Sequence, residues 1–328
     1  MNNWSEDSLR RWKKIWLIFG LGLFILMGCS NMTTRFNAEE REENITIGYA
    51  INNLNDTFQT YILEAAKEQA AKDDINLIVQ NAQDDLIMQQ DIVNSLIQND
   101  VDALIVVPVD TSAMSPITEA AEEAGIPLIY LNRNPFSESE EMPENVFYVG
   151  SDERQAGVLQ GEYVAEQLNG QGNVSILTLA LGLQSTTERT NGVQEAFEAY
   201  PDMNVLNAET AKGQRDQAVT IAENWLQAYG NDLNAIIANN DEMAMGAVQA
   251  LESNGREDVM VMGIDANPDA LQAIKHGRMS GTIFQDAKAQ GVEAVKAARN
   301  AVRGVEQESI VFIDFELVTQ ENVEEYME

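Results

Sequence analysis

Along the chain, short uninterrupted apolar runs alternate with longer stretches whose apolar positions recur every three or four residues. The runs begin at Ile45 to Ala50 and continue at Ile75 to Val79, at Ala103 to Val107 (closed by Pro108) and at Leu128 to Leu131. Between them, Phe58, Ile62, Ala65 and Ala66 share one side of a helix that Asp73 and Asp74 end. A second helix spans about Leu86 to Gln98, and a third runs around Met114 to Ala124 before the Gly125-Ile126-Pro127 turn. Strands without polar alternation are buried on both faces, and strand–helix alternation of this kind predicts an α/β fold with a doubly wound parallel sheet.

The alternation restarts further on. A charged loop from Pro135 to Asn145 leads to a short strand, Val146 to Val149, which reaches Gly150-Ser151-Asp152, and a helix follows at Ala156 to Leu168. Later strands are expected at Val174 to Leu179, about Val205 to Ala208, Ile236 to Ala238, Val259 to Ile264 and Met279 to Phe284. One sheet of about ten strands is unusual without splitting. Two sheets of similar plan, in two domains, are therefore expected over residues 45–328.

The segment Ile236 to Leu271 carries the clearest functional signal. The run Ile236-Ile237-Ala238 stops at Asn239-Asn240-Asp241, and a helix with Ala244, Ala247, Val248 and Leu251 on one face follows. The next run ends on Asp265, before a turn at Asn267-Pro268. Neighbouring strands thus deliver polar side chains at their C-terminal ends, where open parallel sheets bind ligands. Asn and Asp at such junctions also serve as plain helix caps, and Asp241 could cap its helix and leave Asn240 pointing elsewhere.

Strand ends over the whole chain supply Asn53, Asn55, Asp56, Asp84, Asn132 and Arg133 in the first half, and Arg189, Asn240, Asp265 and Gln285 in the second. Amides, carboxylates and guanidinium groups hydrogen-bond hydroxyls in pairs at fixed angles, which suits a sugar or polyol ring. Phe58 follows the first strand-to-helix turn. It either stacks on the C–H face of such a ring or fills the helix core.

The start of the chain has a different character. Arg10, Arg11, Lys13 and Lys14 precede an apolar segment, Ile15 to Met27, that is short for a permanent span. It closes on Leu26-Met27-Gly28-Cys29, which resembles a bacterial lipobox. That resemblance implies removal of a signal peptide, residues 1–28, acylation of Cys29 and an extracytoplasmic protein held to the cell membrane by lipid. An uncleaved signal anchor is the alternative. Cys29 is the only cysteine, so no intramolecular disulfide can form. Residues 29–44 read as a polar, flexible tether.

A formal net charge of -33 argues against a nucleic-acid partner and favours a neutral ligand over an anion. The single histidine, His276, precedes Gly277 at a helix end, where it complements the helix dipole. One histidine and one cysteine leave His-based triads and His-rich metal sites unsupported, so neither cofactor nor metal is expected. Two-carboxylate glycoside hydrolysis remains open by counting. However, the candidate acids lie beside amides and arginines expected to keep them ionised, and a general acid needs a raised pKa.

The pair NNDEMAMGA and GIDANPDAL resembles the sugar-binding proteins of bacterial ABC importers, the type I periplasmic binding proteins, in their galactose/glucose-, ribose- and inositol-binding branches. The resemblance runs from about Ile45 to the end of the chain. It implies an N-terminal lobe of residues 45–150 plus 286–315 and a C-terminal lobe of 151–285 plus 316–328, joined by a three-segment hinge. It also implies a monomer that closes over a monosaccharide or polyol and delivers it to an ABC permease.

Within NLNDTF, the resemblance makes Asp56 a hydroxyl partner and Phe58 a stacking ring. LNR supplies Asn132 and Arg133, TERTNG supplies Arg189, and QDD supplies Asp84. Asn240, Asp265 and the Gln285 of GTIFQDAKAQG complete the implied ligand contacts. The chain departs from the galactose/glucose branch at Leu183 and Ser185, which replace a His and an Asp. Gly213-Gln214-Arg215 stands where a second stacking Trp would be, and the short Asn169 to Asn173 turn has no calcium loop. QRDQA and NWL are more similar to inositol-type and generic sugar binders. A sugar-sensing module for a kinase or chemoreceptor, or an extracellular glycosidase, are the alternatives.

Overall fold

The computed structural model describes residues 45–137 and 141–327; the signal segment, Cys29 and the tether lie outside them. The first half runs β1 (Thr46–Ile51), α1 (Thr57–Lys72), β2 (Asn76–Asn81), α2 (Leu86–Gln98), β3 (Ala103–Val106), α3 (Ser115–Ala124), β4 (Leu128–Leu131) and β5 (Val146–Gly150). The second runs α4 (Glu153–Gln167), β6 (Gln171–Thr178), α5 (Gln184–Phe197), β7 (Asp202–Thr210), α6 (Arg215–Tyr229), β8 (Ala235–Ala238), α7 (Asp241–Ser253), β9 (Met260–Asp265), α8 (Pro268–Lys275) and β10 (Gly281–Gln285). After these come α9 (Ala287–Val302), β11 (Ile310–Phe312) and β12 (Phe315–Thr319).

The strands form two sheets, as the pattern predicts. One has the order β11-β5-β4-β3-β1-β2 and the other β12-β10-β9-β8-β6-β7. All pairs in the first sheet are parallel, whereas in the second β12 lies antiparallel to β10. The strand order reverses between β1 and β3 in one sheet and between β6 and β8 in the other. Side chains from successive loops diverge at these points and leave a crevice beyond the strand ends. The chain passes from the first sheet to the second after β5, returns through α9 to reach β11, and leaves again for β12.

The central strands read directly from the sequence because every residue of β3, β4 and β8 is buried. The edges differ from expectation. β6 begins at Gln171, inside the expected Asn169 to Asn173 turn, because it pairs with β7 from Asp202 onward. β7 extends well beyond Val205 to Ala208 with only Met203 buried, and its pairing with β6 shifts register at Val174/Ser175 of β6. β11 and β12 add to the expected strands: both are short edge strands, and neither has a continuous buried run to mark it.

Helices pack in pairs, α4 on α5, α6 on α7 and α1 on α9, and each crossing uses a glycine as spacer. A Cβ on Gly157 would lie 2.0 Å from the Arg189 carbonyl oxygen, and one on Gly192 would lie 2.2 Å from that of Arg154. Gly246 and Gly291 meet the backbone of Arg215 and Ile62 in the same way. The backbones therefore touch where side chains would hold them apart. Among the described residues, no helix is long and apolar enough to cross a membrane.

The Gly157→Ala change would force α4 off α5, with an overpacking cost of about 1–3 kcal/mol. A clear fall in the urea midpoint of unfolding is expected, and an unchanged midpoint would show that the two helices separate freely.

Candidate functional site

Each loop after β1, β2 and β4 is fixed by polar side chains bonding back to the backbone or to one another. Asp56 caps α1, accepting from the Gln59 amide at 3.2 Å through Oδ1, while its Oδ2 faces Arg133 Nη2 at 3.4 Å. Arg133 is held from behind by donating to the Pro108 carbonyl at 2.9 Å. Asp84 accepts from the side-chain amides of Asn52 at 3.3 Å and Asn53 at 2.6 Å. Asn55 in turn donates its backbone N–H to Asn53 Oδ1.

Asn132 follows β4 in the left-handed region, with φ of 65°. Its amide turns inward, accepting from Gln59 Nε2 at 2.6 Å and donating to Gln290 Oε1 at 3.0 Å. Gln290 donates on to Ser151 Oγ at 3.3 Å, and the Tyr148 hydroxyl donates to the carbonyl oxygens of Asn132 and Ser151. The residue thus ties α1 to α9 and to the segment leaving β5.

In the second sheet, Asn240 rather than Asp241 caps α7, accepting from the Met243 amide at 3.0 Å. Asp241 has turned the other way: its carboxylate is buried and accepts from the Asn267 amide and Thr282 Oγ1, both at 2.7 Å. The sequence order allowed either residue to cap, and the donors beneath β9 decide it. Arg189 is buried on α5, donating through Nε to Glu153 at 2.5 Å and through Nη1 to the Asn239 carbonyl. Gln285, at the end of β10, is also buried, and its Nε2 has no partner among the described residues.

Between the two strand-end edges lies a cleft of about 760 Å³, within the range typical of small-molecule sites. Asp56, Phe58, Asp84, Arg133, Asn240 and Asp265 all line it. Asn132, Arg189 and Gln285 do not: Asn132 and Arg189 are engaged in the buried contacts described above, and Gln285 is buried at the end of β10. Phe58 reconciles its two readings, being on the buried face of α1 and also in the cleft wall. Asn52, Asp110, Lys212, Arg215, Glu242 and Asn267 also line the cleft and were not singled out from the sequence. Of these, Asp110 had a legible signal, since it lies just past the Pro108 that closes the β3 run.

The two sides touch at the cleft mouth. Thr111 Oγ1 donates to the Gly182 carbonyl at 2.8 Å and accepts from the Gln184 amide at 2.9 Å. Gly182 has φ of 92°, and a Cβ there would press on the Asp110 carboxylate.

Burial raises the Asp56 carboxyl, against the opposing charge of Arg133. Asp265 is pushed well up by burial and by the charge of Asp241, which Arg189 only partly offsets. From the sequence, the arginines and amides are expected to keep these acids ionised; at both residues desolvation opposes the cations and outweighs them. No hydrogen-bond or ion-pair partner meets the Asp265 carboxylate among the described residues. Nor do three or more His, Cys, Asp or Glu side chains among them converge to hold a metal ion.

A family profile described as periplasmic binding protein domain matches residues 47–306. The chain belongs to the periplasmic binding protein family. A solute binding protein of an ABC transporter from Bacillus halodurans C-125, solved with bound myo-inositol, is 42% identical and superposes with a TM-score of 0.81, covering 87% of this chain and 98% of that one. A xylitol-binding protein of Mycolicibacterium smegmatis is 32% identical over 93% of this chain and 84% of its own length. The ribose import binding protein RbsB of Bacillus subtilis is 32% identical over 94% of this chain and 99% of its own. Two parallel-sheet α/β lobes are the type I architecture of this periplasmic binding protein.

An Asp whose pKa rises on folding destabilises the fold progressively as pH climbs from its unfolded value, about 3.9, through its folded one. Asp265→Asn should therefore raise the Tm of the ligand-free protein at neutral pH, by about 2–4 °C for each kcal/mol of relieved cost. The gain should vanish below about pH 4. A lowered Tm at neutral pH would contradict a carboxyl whose pKa rises on folding.

Proposed function

We propose that this chain is the solute-binding component of an ABC importer and that its cleft closes over a cyclic polyol or monosaccharide, with myo-inositol the first candidate. The observation that carries this reading is the cleft itself. Carboxylates, amides and a guanidinium from the ends of two parallel sheets converge on one space, with an aromatic ring in its wall. Such groups match a ring of hydroxyls, with Asp56, Asp84 and Arg133 on one side and Asn240 and Asp265 on the other. The 42% identity to a protein solved with myo-inositol favours a polyol, as do the departures at Leu183, Ser185 and Gly213 from the galactose/glucose pattern.

In this reading Asn132 and Arg189 contribute by holding the walls. Residues 45–150 with 286–315, and 151–285 with 316–328, act as the closing lobes. Contacts available only in the shut form supply the differential affinity that closure requires, and periplasmic binding proteins are themselves a standard example of hinge closure around a ligand. Lipid on Cys29 would keep the monomer beside its permease. The raised carboxyls serve hydroxyl recognition, and no catalytic step is assigned to them.

Calorimetry over myo-inositol, ribose, xylitol, galactose and glucose tests the proposal. Binding of at least one is expected, with a Tm rise equivalent to about 2.7 kcal/mol at a hundredfold excess over Kd. Arg133→Ala should weaken that ligand by about 10–100-fold, the loss typical of a charge-assisted hydrogen bond. No binding across the panel, or hydrolysis of an aryl glycoside by the purified protein, would overturn it.

A further inference from the structure

Asp241 is a carboxylate without an obvious task. It is 1% exposed, and no cation pairs with it among the described residues. It does not cap α7, because Asn240 does. A buried carboxylate costs stability unless hydrogen bonds compensate it, so its partners indicate its use.

Those partners lie on a single feature. Oδ2 accepts from the Asn267 amide at 2.7 Å and Oδ1 accepts from Thr282 Oγ1 at 2.7 Å. Thr282 Oγ1 in turn accepts from the Ala266 amide at 3.4 Å. Both amides of the turn after Asp265 are therefore tied to the Asp241–Thr282 pair.

That turn is strained. Asp265 has φ of 121° and Ala266 has φ of 57°, two consecutive residues with side chains in a region that favours glycine. Such conformations persist only where surrounding contacts hold them. Space for the clamp comes from Gly263 on β9, where a Cβ would lie 2.1 Å from Asp241 Oδ1.

We infer that Asp241, with Thr282, is a positioning residue that clamps the Asp265–Asn267 turn and so aims the Asp265 carboxylate into the cleft. The inference rests on the proposed ligand site for its affinity readout, but not for its structural one. Asp241 touches no ligand in this arrangement and acts through Asp265.

The test is a double-mutant cycle in the full chain, read by calorimetry with myo-inositol, together with amide exchange in the ligand-free protein. Asp241→Ala should speed exchange at Ala266 and Asn267 about tenfold, the consequence of losing a charge-assisted bond. It should weaken myo-inositol about tenfold or more in the wild-type background, yet by less than about threefold in an Asp265→Asn background, because coupled residues are not additive. Asp241→Asn keeps the Asn267 bond through Oδ1 and reverses the other, donating to Thr282 Oγ1 through Nδ2 with the Thr282 hydroxyl hydrogen left without its acceptor, and should recover most of the affinity that Asp241→Ala loses. Thr282→Val supplies a milder loss of the same kind should Asp241→Ala fail to fold.

Equal losses from Asp241→Ala with and without Asp265 would overturn the inference. So would unchanged exchange at Ala266 and Asn267, or faster exchange with wild-type affinity. If the wild-type protein ignores myo-inositol, the ligand assignment fails while the exchange measurement still judges the clamp.

Discussion

In a parallel sheet every strand ends on the same edge, so the loops that follow the strands gather along one line. Here two such edges face a common cleft, and the groups that line it come from residues as far apart as Asp56 and Asp265. Everything chemical about the molecule depends on that arrangement. The sheet interiors, buried and apolar, fix the edges; the edges then present short polar loops whose backbone is tied down by capping and amide contacts. Preorganised in this way, the side chains lose little freedom when a ligand arrives.

The cleft walls rest on buried polar struts. Gln59, Asn132, Gln290 and Ser151 bond in sequence, linking a helix of the first sheet to the returning helix α9 and the departing segment after β5. Arg189 with Glu153 and the Asn239 carbonyl does the same in the second half. Glycine-spaced helix pairs complete the support, since backbone-to-backbone contact leaves little play. Beside the cleft, Thr111 bonds the Gly182 carbonyl and the Gln184 amide, joining the two sides directly.

The architecture was legible because buried parallel strands are apolar on both faces, and β3, β4 and β8 announce themselves in any reading of the chain. Edge strands β11 and β12 were not, and β7 was marked only over its Val205 to Ala208 centre, since exposure shortens or removes the apolar run that marks a strand. In the candidate site, strand-end position brought Asp56, Asp84, Arg133, Asn240 and Asp265 to notice. What it could not give was direction. Whether Asn132 points into the cleft or away depends on a left-handed backbone at β4 and on partners 73 and 158 residues distant. Asn240 and Asp241 are adjacent, and only the donors on Thr282 and Asn267 decide which one caps the helix and which is buried. The raised carboxyls were likewise hidden, because desolvation is a property of the assembled cleft rather than of neighbouring residues in sequence.

The most direct measurement is a crystal structure of the protein grown with myo-inositol. One ring is expected in the cleft, its hydroxyls bonded on one side to Asp56 and Arg133 and on the other to Asp265, with Phe58 against its face. A ring bound to the residues of one sheet alone, or outside the cleft, would contradict a site shared by two strand-end edges.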